Sequence, residues 1–441
     1  MHTVYCQILR VLIWISVTLI TTTSAQPLPD VVAADEPKGS HRDIAQTCEN
    51  VQGLLHEHAG IHDNALFTGA AVLIAHKGRV MCREAVGHAQ LLSLQDDGNL
   101  VHSTNPIRMS ADSIFDLASV SKVAATTISI MHLVSNNQLA LEDTLGELLP
   151  EFKHTDKAAI TVQQLLTHRS GLLPWQPTWL YLTNAQELND YIASLPLGHG
   201  PGERRAYSDL GFMLLGNIIE AVSGKTLEQF VHTQLYAPLG MQDTGYTPLP
   251  DARPRIAATS HGNPYERNMV ATGKPYPLAR PPKNPDFNGY RKYTLIGEAN
   301  DGNTWYGLEG VAGHAGLFST LDDLAILGQM LVNGGTYQNY TVTDKTTLET
   351  FLQTPFDDEQ AHGFRKGQYL DQTYYWHPGF TGTYWLINPK SALVVVLLTN
   401  RQHGGLNHET GRYPSLTPIW RQVVNIAHDA IATKTVDTGR R

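Results

Sequence analysis

Ser119-Val120-Ser121-Lys122 puts a hydroxyl and an amine three positions apart, which on a helix is one turn along the same face. A serine hydroxyl is a weak nucleophile until a neighbouring base takes its proton. For Lys122 to be that base its pKa must fall from ~10.4 to about 7–8, a change of roughly 3–4 kcal/mol that burial can supply. A place at the start of a helix adds a free backbone N–H and the positive end of the helix dipole, which suit a developing oxyanion. Alone, Ser-x-x-Lys is a weak signal, satisfied equally by a capping serine and a lysine that extends its ammonium to solvent. Two further segments add to it. Tyr207-Ser208-Asp209 sets a phenol ahead of an apolar helix, and a phenol beside Ser119 and Lys122 can carry a proton to a leaving group. His377-Pro378-Gly379-Phe380 offers a glycine that permits close approach of a substrate backbone, and the Phe380 N–H as an oxyanion donor beside that of Ser119. Taken singly, these two segments are also a half-buried tyrosine and a turn before a hairpin.

Such groups need rigid elements behind them. Ser113–Leu117 reads as a short strand running into a mostly apolar, buried helix over Val120–Val134. Upstream, Ile44–Ile61 is helical in pattern, and Ala70–His76 and Val80–Gly87 are strands joined at Lys77-Gly78. Residues 139–245 are helical in pattern and punctuated by prolines; residues 248–310 hold too many prolines for long regular elements. Ser319 or Thr320 caps a helix whose first turn carries Asp322 and Asp323. The chain then returns to strands, Thr383–Asn388 and Ala392–Asn400, around Pro389-Lys390, and closes on a helix over Ile419–Ile431. The expected fold class is α/β of the α+β type. An antiparallel sheet is assembled from N- and C-terminal segments and flanked by helices, with an inserted, mainly helical domain.

Composition narrows the function. Of 441 residues, 42% are hydrophobic, close to the globular average, which excludes wholesale disorder. Lys and Arg total 32 against 41 acidic residues, a net charge of −9, which disfavours a nucleic-acid partner. Residues 1–25 read as an export signal, with Arg10 before the apolar run Val11–Ile20 and a small-residue site at Thr23-Ser24-Ala25. If uncleaved, the segment is an inner-membrane anchor, the one expected membrane contact. Residues 26–42 read as a linker and 43–435 as the folded domain. Removal of the signal takes Cys6 with it and leaves Cys48 and Cys82, which either form a disulfide, worth roughly 3–4 kcal/mol in an oxidising compartment, or stay as buried thiols. No metal or cofactor is expected: His56-Glu57-His58 lacks zinc-helix spacing, and Gly224-Lys225-Thr226 lacks the leading glycine of a phosphate loop.

The order Ser-x-x-Lys, Tyr-Ser-x, His-x-Gly resembles the serine β-lactamase and penicillin-binding-protein superfamily. Longer stretches carry the likeness: Leu165-Leu166-Thr167-His168-Arg169-Ser170-Gly171-Leu172, the block from Pro201 to Tyr246, and Gly313-His314-Ala315-Gly316-Leu317-Phe318-Ser319-Thr320. The likeness spans about residues 44–430. Within the superfamily the chain is similar to the class C β-lactamase, DD-peptidase and family VIII esterase branch (peptidase S12 type). The strongest likeness is to the 4B-type penicillin-binding proteins, named as D-alanyl-D-alanine carboxypeptidases. The resemblance implies Ser119 as acylated nucleophile, Lys122 as base, Tyr207 as proton shuttle, and the N–H groups of Ser119 and Phe380 as oxyanion hole. It implies peptidoglycan peptides, small esters or β-lactams as substrates, and the periplasm as location.

Several positions depart from the pattern. Asp209 stands where many relatives carry Asn, which removes an amide donor toward substrate and adds a charge. His377 replaces the more familiar lysine, as it does in many relatives of this branch, and Pro378 replaces a threonine whose hydroxyl and N–H would help hold a substrate carboxylate. Arg401 is a candidate substitute cation for that carboxylate, or a surface arginine at a strand end. His314 is a candidate cleft residue or a structural one, and Gly297-Glu298-Ala299-Asn300-Asp301 replaces a Val-His-Asp run. Two functional expectations follow: an exported serine hydrolase acting through an acyl-enzyme, or a catalytically silent module that holds cell-wall fragments. The retained Ser119, Lys122 and Tyr207 favour the first, since a pure binder has no use for all three.

Overall fold

The structure, a computed structural model, describes residues 40–432 except 249, 370 and 408. The signal-like segment, the linker up to residue 39 and residues 433–435 lie outside the described residues. Seven strands form one antiparallel sheet: β1 Gly69–His76, β2 Arg79–Leu94, β3 Leu100–Arg108, β4 Arg365–Tyr369, β5 Gln372–Pro378, β6 Thr383–Asn388 and β7 Leu393–Thr399. Their order is β3-β2-β1-β7-β6-β5-β4, so the two ends of the chain meet at the centre, where Ala70 faces Thr399 and His76 faces Leu393. Both central strands are apolar and buried on both sides, as covering layers on each face require.

Alternate side chains of these two strands feed separate cores. Val72, Ile74, Val395 and Leu397 pack under helices α1 (Ser40–Glu57) and α5 (Thr417–Ala432). Leu73, Val394 and Val396 pack toward α2 (Ile128–Ser135) and α4 (Leu321–Val332). The Cys48–Cys82 disulfide ties α1 to β2 across the first core. Helix α1 starts at Ser40, inside the segment read as linker, and stops at Glu57, just before Gly60 turns the chain at φ +128°. The β1–β2 turn holds Lys77 and Gly78 both at positive φ, as a two-residue hairpin needs.

Residues 139–245 form short helices around one long one, α3 (Asp209–Ser223), capped by Ser208, whose Oγ accepts from the Gly211 N–H at 3.2 Å. Helix α4 is capped by Thr320, accepting from the Asp323 N–H. The strand expected at Ser113–Leu117 is only Phe115–Asp116, which pairs with Leu317–Ser319 in a small three-stranded sheet that also takes in Gly245–Tyr246. That small sheet delivers the chain to Ser119.

Candidate active site

Ser119 sits in a turn of 3-10 helix, Ala118–Val120, ahead of a wide-turn segment, Lys122–Thr127, that runs into α2. Ala118 takes φ +46°, a left-handed conformation costly to a residue with a Cβ, and wide helical turns are frequent at functional sites. The surroundings pin that turn. Asp116 Oδ1 accepts from the Ala118 N–H at 2.8 Å and Oδ2 from the Asn300 N–H at 2.6 Å. Thr381 Oγ1 donates to the Asp116 carbonyl at 2.7 Å, and Thr383 Oγ1 to the Leu117 carbonyl at 2.8 Å. Burial pushes the Asp116 carboxyl up to about 6, against these hydrogen bonds.

Lys122 is fully buried, and its Nζ faces three acceptors. It donates to Ser119 Oγ at 3.1 Å and to the His314 carbonyl at 2.9 Å, and lies 2.6 Å from Asp209 Oδ1. The last contact is a close ion pair rather than an aligned hydrogen bond. Tyr207 donates its hydroxyl to Ser119 Oγ at 3.0 Å, and its ring lies 5.0 Å from Lys122 Nζ. Ser119 Oγ thus receives two donors, the environment that stabilises an alkoxide.

The electrostatics differ from the sequence expectation at one point. Burial pulls the Lys122 pKa down, but the Asp209 carboxylate, followed by Tyr207, outweighs it, and the amine is held above its ordinary value. Lys122 is therefore an ammonium at neutral pH, because the charge at 209 replaces the water that burial removes. Burial likewise raises Tyr207, against the pull of Lys122, so it rests as a neutral phenol.

The other expected residues divide. His377 is buried, with its ring 6.3 Å from that of Tyr207 and its Nδ1–H donated to the Pro378 carbonyl at 2.9 Å. Burial, then the Lys122 and Arg365 charges, hold it well below the usual imidazole range, so it is neutral. Gly379 is needed on the inner side of the strand: a Cβ would meet Thr383 Oγ1 at 2.0 Å and the Leu117 carbonyl at 2.4 Å, so the close approach there is by the nucleophile's own loop. The Phe380 N–H has no acceptor within hydrogen-bonding distance among the described residues, and its side chain is exposed. Asp209 is placed to hold Lys122 before any substrate. Arg401 is not an unengaged cation: Nε and Nη2 donate to the Phe380 carbonyl and Nη1 to the Pro414 carbonyl. The His314 ring turns from Ser119 to Asp301, with Nε2 2.9 Å from Oδ1, and only its carbonyl reaches Lys122.

Several neighbours have no motif of their own that would single them out. The His168 ring packs against that of Tyr207 at 4.5 Å, tilted by 37°, and accepts the Ser208 N–H on Nδ1, which orients the phenol. Burial, then Lys122, keep its ring neutral. The only signal for it was its place inside Leu165–Leu172. Burial pushes Asp301 up, but His314 and the Thr304 hydrogen bonds win and hold it at about 2. Beside it, burial and the Asp301 charge push Glu266 up to about 8. A cavity of about 950 Å3 opens beyond Tyr207 and His168. Among the described residues no cluster of His, Cys, Asp and Glu is arranged to hold a metal ion.

A fold with helices on both faces of an antiparallel sheet, and a Ser–Lys–Tyr cluster at a helix start, defines the class, and the comparisons agree with it. The family described as Beta-lactamase matches residues 59–414, and the chain belongs to that family, whose fold carries serine hydrolases. It is 32% identical over 362 residues to the "N-acetylmuramyl-L-alanine amidase" of Bacillus subtilis (strain 168), covering 76% of this chain and 78% of that protein. It is 31% identical over 360 residues to a "Putative D-alanyl-D-alanine carboxypeptidase" of Salmonella typhi, covering 75% and 78%. Among solved structures, a penicillin-binding protein homologue from Caulobacter crescentus shares the fold with a TM-score of 0.63, at 18% identity, over 90% of this chain and 99% of that one.

Proposed function

We propose that the protein is an exported serine hydrolase that works through an acyl-enzyme on Ser119, with peptidoglycan stem peptides ending in D-Ala-D-Ala as substrate. The observation that carries this reading is the convergence of Lys122 Nζ and Tyr207 Oη on one oxygen, Ser119 Oγ, at 3.1 and 3.0 Å. Lys122 turns over from its neutral form. Its amine takes the Ser119 proton as Oγ bonds to the carbonyl carbon, and the oxyanion is met by the Ser119 and Phe380 N–H groups. Tyr207 passes a proton to the leaving nitrogen and is re-protonated from Lys122; the C–N bond breaks and D-alanine departs. Water, giving its proton back along the same path, releases the acyl group and restores the serine hydroxyl. The export segment and the Cys48–Cys82 disulfide, of a kind that persists in oxidising compartments, support a periplasmic location.

A second reading has a specific observation behind it. The likeness to the Bacillus subtilis amidase favours the same chemistry at the N-acetylmuramyl–L-alanine bond. One set of assays separates the two: release of D-alanine from an N-acylated D-Ala-D-Ala peptide against release of the peptide from a muramyl peptide. Fluorescent-penicillin labelling of wild type and Ser119→Ala, followed by intact mass, tests the nucleophile. The expected result is D-alanine release and a stable adduct on wild type alone. Peptide release without D-alanine would transfer the proposal to the amidase reading. An adduct that persists on Ser119→Ala would remove Ser119 as nucleophile.

A further inference from the structure

The turn that presents the Phe380 N–H is held from three sides. Within it, Gly379 donates its N–H to the Thr383 carbonyl at 2.6 Å, and Gly382 donates its own to the Gly379 carbonyl at 3.0 Å. The Gly379 carbonyl and the Phe380 N–H belong to one trans peptide, so anchoring the carbonyl inside the turn aims the N–H out of it. Toward the nucleophile, the Thr381 and Thr383 hydroxyls tie the turn to the carbonyls of Asp116 and Leu117. From the end of β7, Thr399 gives its N–H and its hydroxyl to the Gly382 carbonyl. Arg401, two residues further on, forks Nε and Nη2 onto the Phe380 carbonyl itself. Gly382 makes room for this, since a Cβ there would meet Thr399 Oγ1 at 2.3 Å and Arg401 Cγ at 3.1 Å.

Arg401 differs from the other tethered arginines in its partners. Arg83, Arg169, Arg205, Arg255 and Arg291 each pair with a carboxylate. Arg401 has only carbonyls, and among the described residues no carboxylate pairs with it. The Phe380 ring covers its guanidinium at 5.2 Å. Burial lowers the guanidinium from its ordinary value, yet an arginine stays charged in a protein. A shielded charge without a counter-charge is costly at rest, and an anion that forms beside it returns part of that cost. In acyl transfer the atom that becomes anionic is the substrate oxygen on the Phe380 N–H, and the fork sits on the carbonyl of the same residue.

We infer that Arg401 is a positioning residue of the oxyanion hole. Its fork fixes the turn that aims the Phe380 N–H, and its unpaired charge favours the tetrahedral anion over the planar carbonyl. The inference rests on the acyl-enzyme reading and is the same for the D-Ala-D-Ala and the muramyl–L-alanine bond. An interaction that strengthens only as the oxyanion forms acts on kcat and leaves KM nearly alone.

A pair of probes tests this without turnover: an N-acylaminomethylboronic acid and the planar carboxamide of the same acyl group. Ser119 Oγ bonds to the boron as its proton passes to Lys122, leaving a tetrahedral anion with an oxygen in the oxyanion hole. The carboxamide binds without that charge. Arg401→Gln is expected to weaken the boronate by about tenfold or more and the carboxamide by less than about twofold, with partial return in Arg401→Lys. In turnover the same loss should fall on kcat, with KM little changed. Equal weakening of both probes, or a ratio unmoved in Arg401→Gln, would overturn the assignment and leave Arg401 a support of the fold. Should Arg401→Gln fail to fold, Arg401→Lys decides, because a single ammonium cannot fork the carbonyl. There, a boronate weakened about threefold or more beside an unchanged carboxamide supports the role, and equal changes remove it. The reading beneath fails differently. A wild type whose boronate affinity is no greater than that of Ser119→Ala loses the acyl-enzyme, and this role with it; one that binds boronate through Ser119 with the ratio unmoved keeps the acyl-enzyme and loses only Arg401.

Discussion

The two faces of the central sheet are built from the same strands and hold different things. Under α1 and α5 the buried side chains are mainly apolar, Val51, Leu55, Ile74, Val395, Ile419, Trp420 and Val423 among them, with the Cys48–Cys82 bridge across the layer. On the other face the apolar mass is as continuous, yet Lys122, Asp116, His168, His314 and Asn300 are buried on the site side of the molecule. Burying a charge is expensive unless it is paired and hydrogen-bonded, and Lys122 and Asp116 have such partners, whereas His168 Nε2 and His314 Nδ1 are buried without one. The desolvation cost is thus gathered where acyl-transfer chemistry needs a dry, preorganised environment, and the opposite face supplies stability with few polar commitments. Substitutions on the two faces should therefore move different observables.

The largest effect is expected at the nucleophile. Ser119→Ala should lower kcat/KM by at least about 10⁴-fold, roughly 5.5 kcal/mol of barrier, with the melting temperature almost unchanged. A large loss of melting temperature in that variant would mean that the site face also carries the fold. The converse is expected across the sheet. Cys48→Ala with Cys82→Ala should cost about 3–4 kcal/mol of unfolding free energy in a denaturant titration, because the bridge closes a loop with a sequence separation of 34, while turnover at 25 °C stays close to wild type. A drop in turnover parallel to the drop in stability would sink the division of labour.

A smaller effect reads the buried polar groups through pH. Glu266 is raised to about 8, by burial first and then by the Asp301 charge. Its contribution to stability is complete below its unfolded pKa near 4.5 and is lost as pH rises through about 8. Asp116, raised to about 6, works in the same direction over a lower window, whereas Asp301, held at about 2, contributes above 3.8 and loses that only in strong acid. Between pH 6 and pH 9 the melting temperature of the wild type should fall by roughly 2–4 °C, and Glu266→Gln should remove most of the fall. An unchanged slope in that variant would show that Glu266 is ionised throughout.

Legibility in the sequence follows the range of the interactions. Ser119 and Lys122 were readable because one helical turn joins them, and β1, β6 and β7 because apolar strands announce themselves. Strand β3 is not legible in the sequence: its residues are largely exposed, and Pro106 interrupts it. Strand β4, Arg-Lys-Gly-Gln-Tyr, has no apolar alternation to find. The roles of Asp209, Arg401 and His314 depend on partners far along the chain, with Lys122 separated from the His314 carbonyl by 192 positions. Only the fold could decide whether Arg401 meets solvent or the Phe380 carbonyl, and whether Cys48 and Cys82 are bonded.

Asp209 is where the two demands on the site face collide. A carboxylate at 2.6 Å makes burial of Lys122 tolerable, but it does so by stabilising the ammonium, the form that cannot accept the Ser119 proton. An amide at that position would still fill the space and offer an oxygen, without the charge. Removing the charge lets burial dominate and lowers the Lys122 pKa, so neutral amine becomes available at lower pH. In Asp209→Asn the acid limb of the kcat/KM profile should therefore move to lower pH. On that limb the rate should rise by about tenfold, the factor that ~1.4 kcal/mol of lost pairing gives, and the alkaline plateau should change little. The stability of the variant should fall, since a buried ammonium then lacks its counter-charge whenever it is protonated. If Asp209→Asn instead loses activity at every pH while still taking up penicillin on Ser119, Asp209 acts later, in handling the proton during deacylation. In that case the pairing with Lys122 is part of turnover rather than a brake on it.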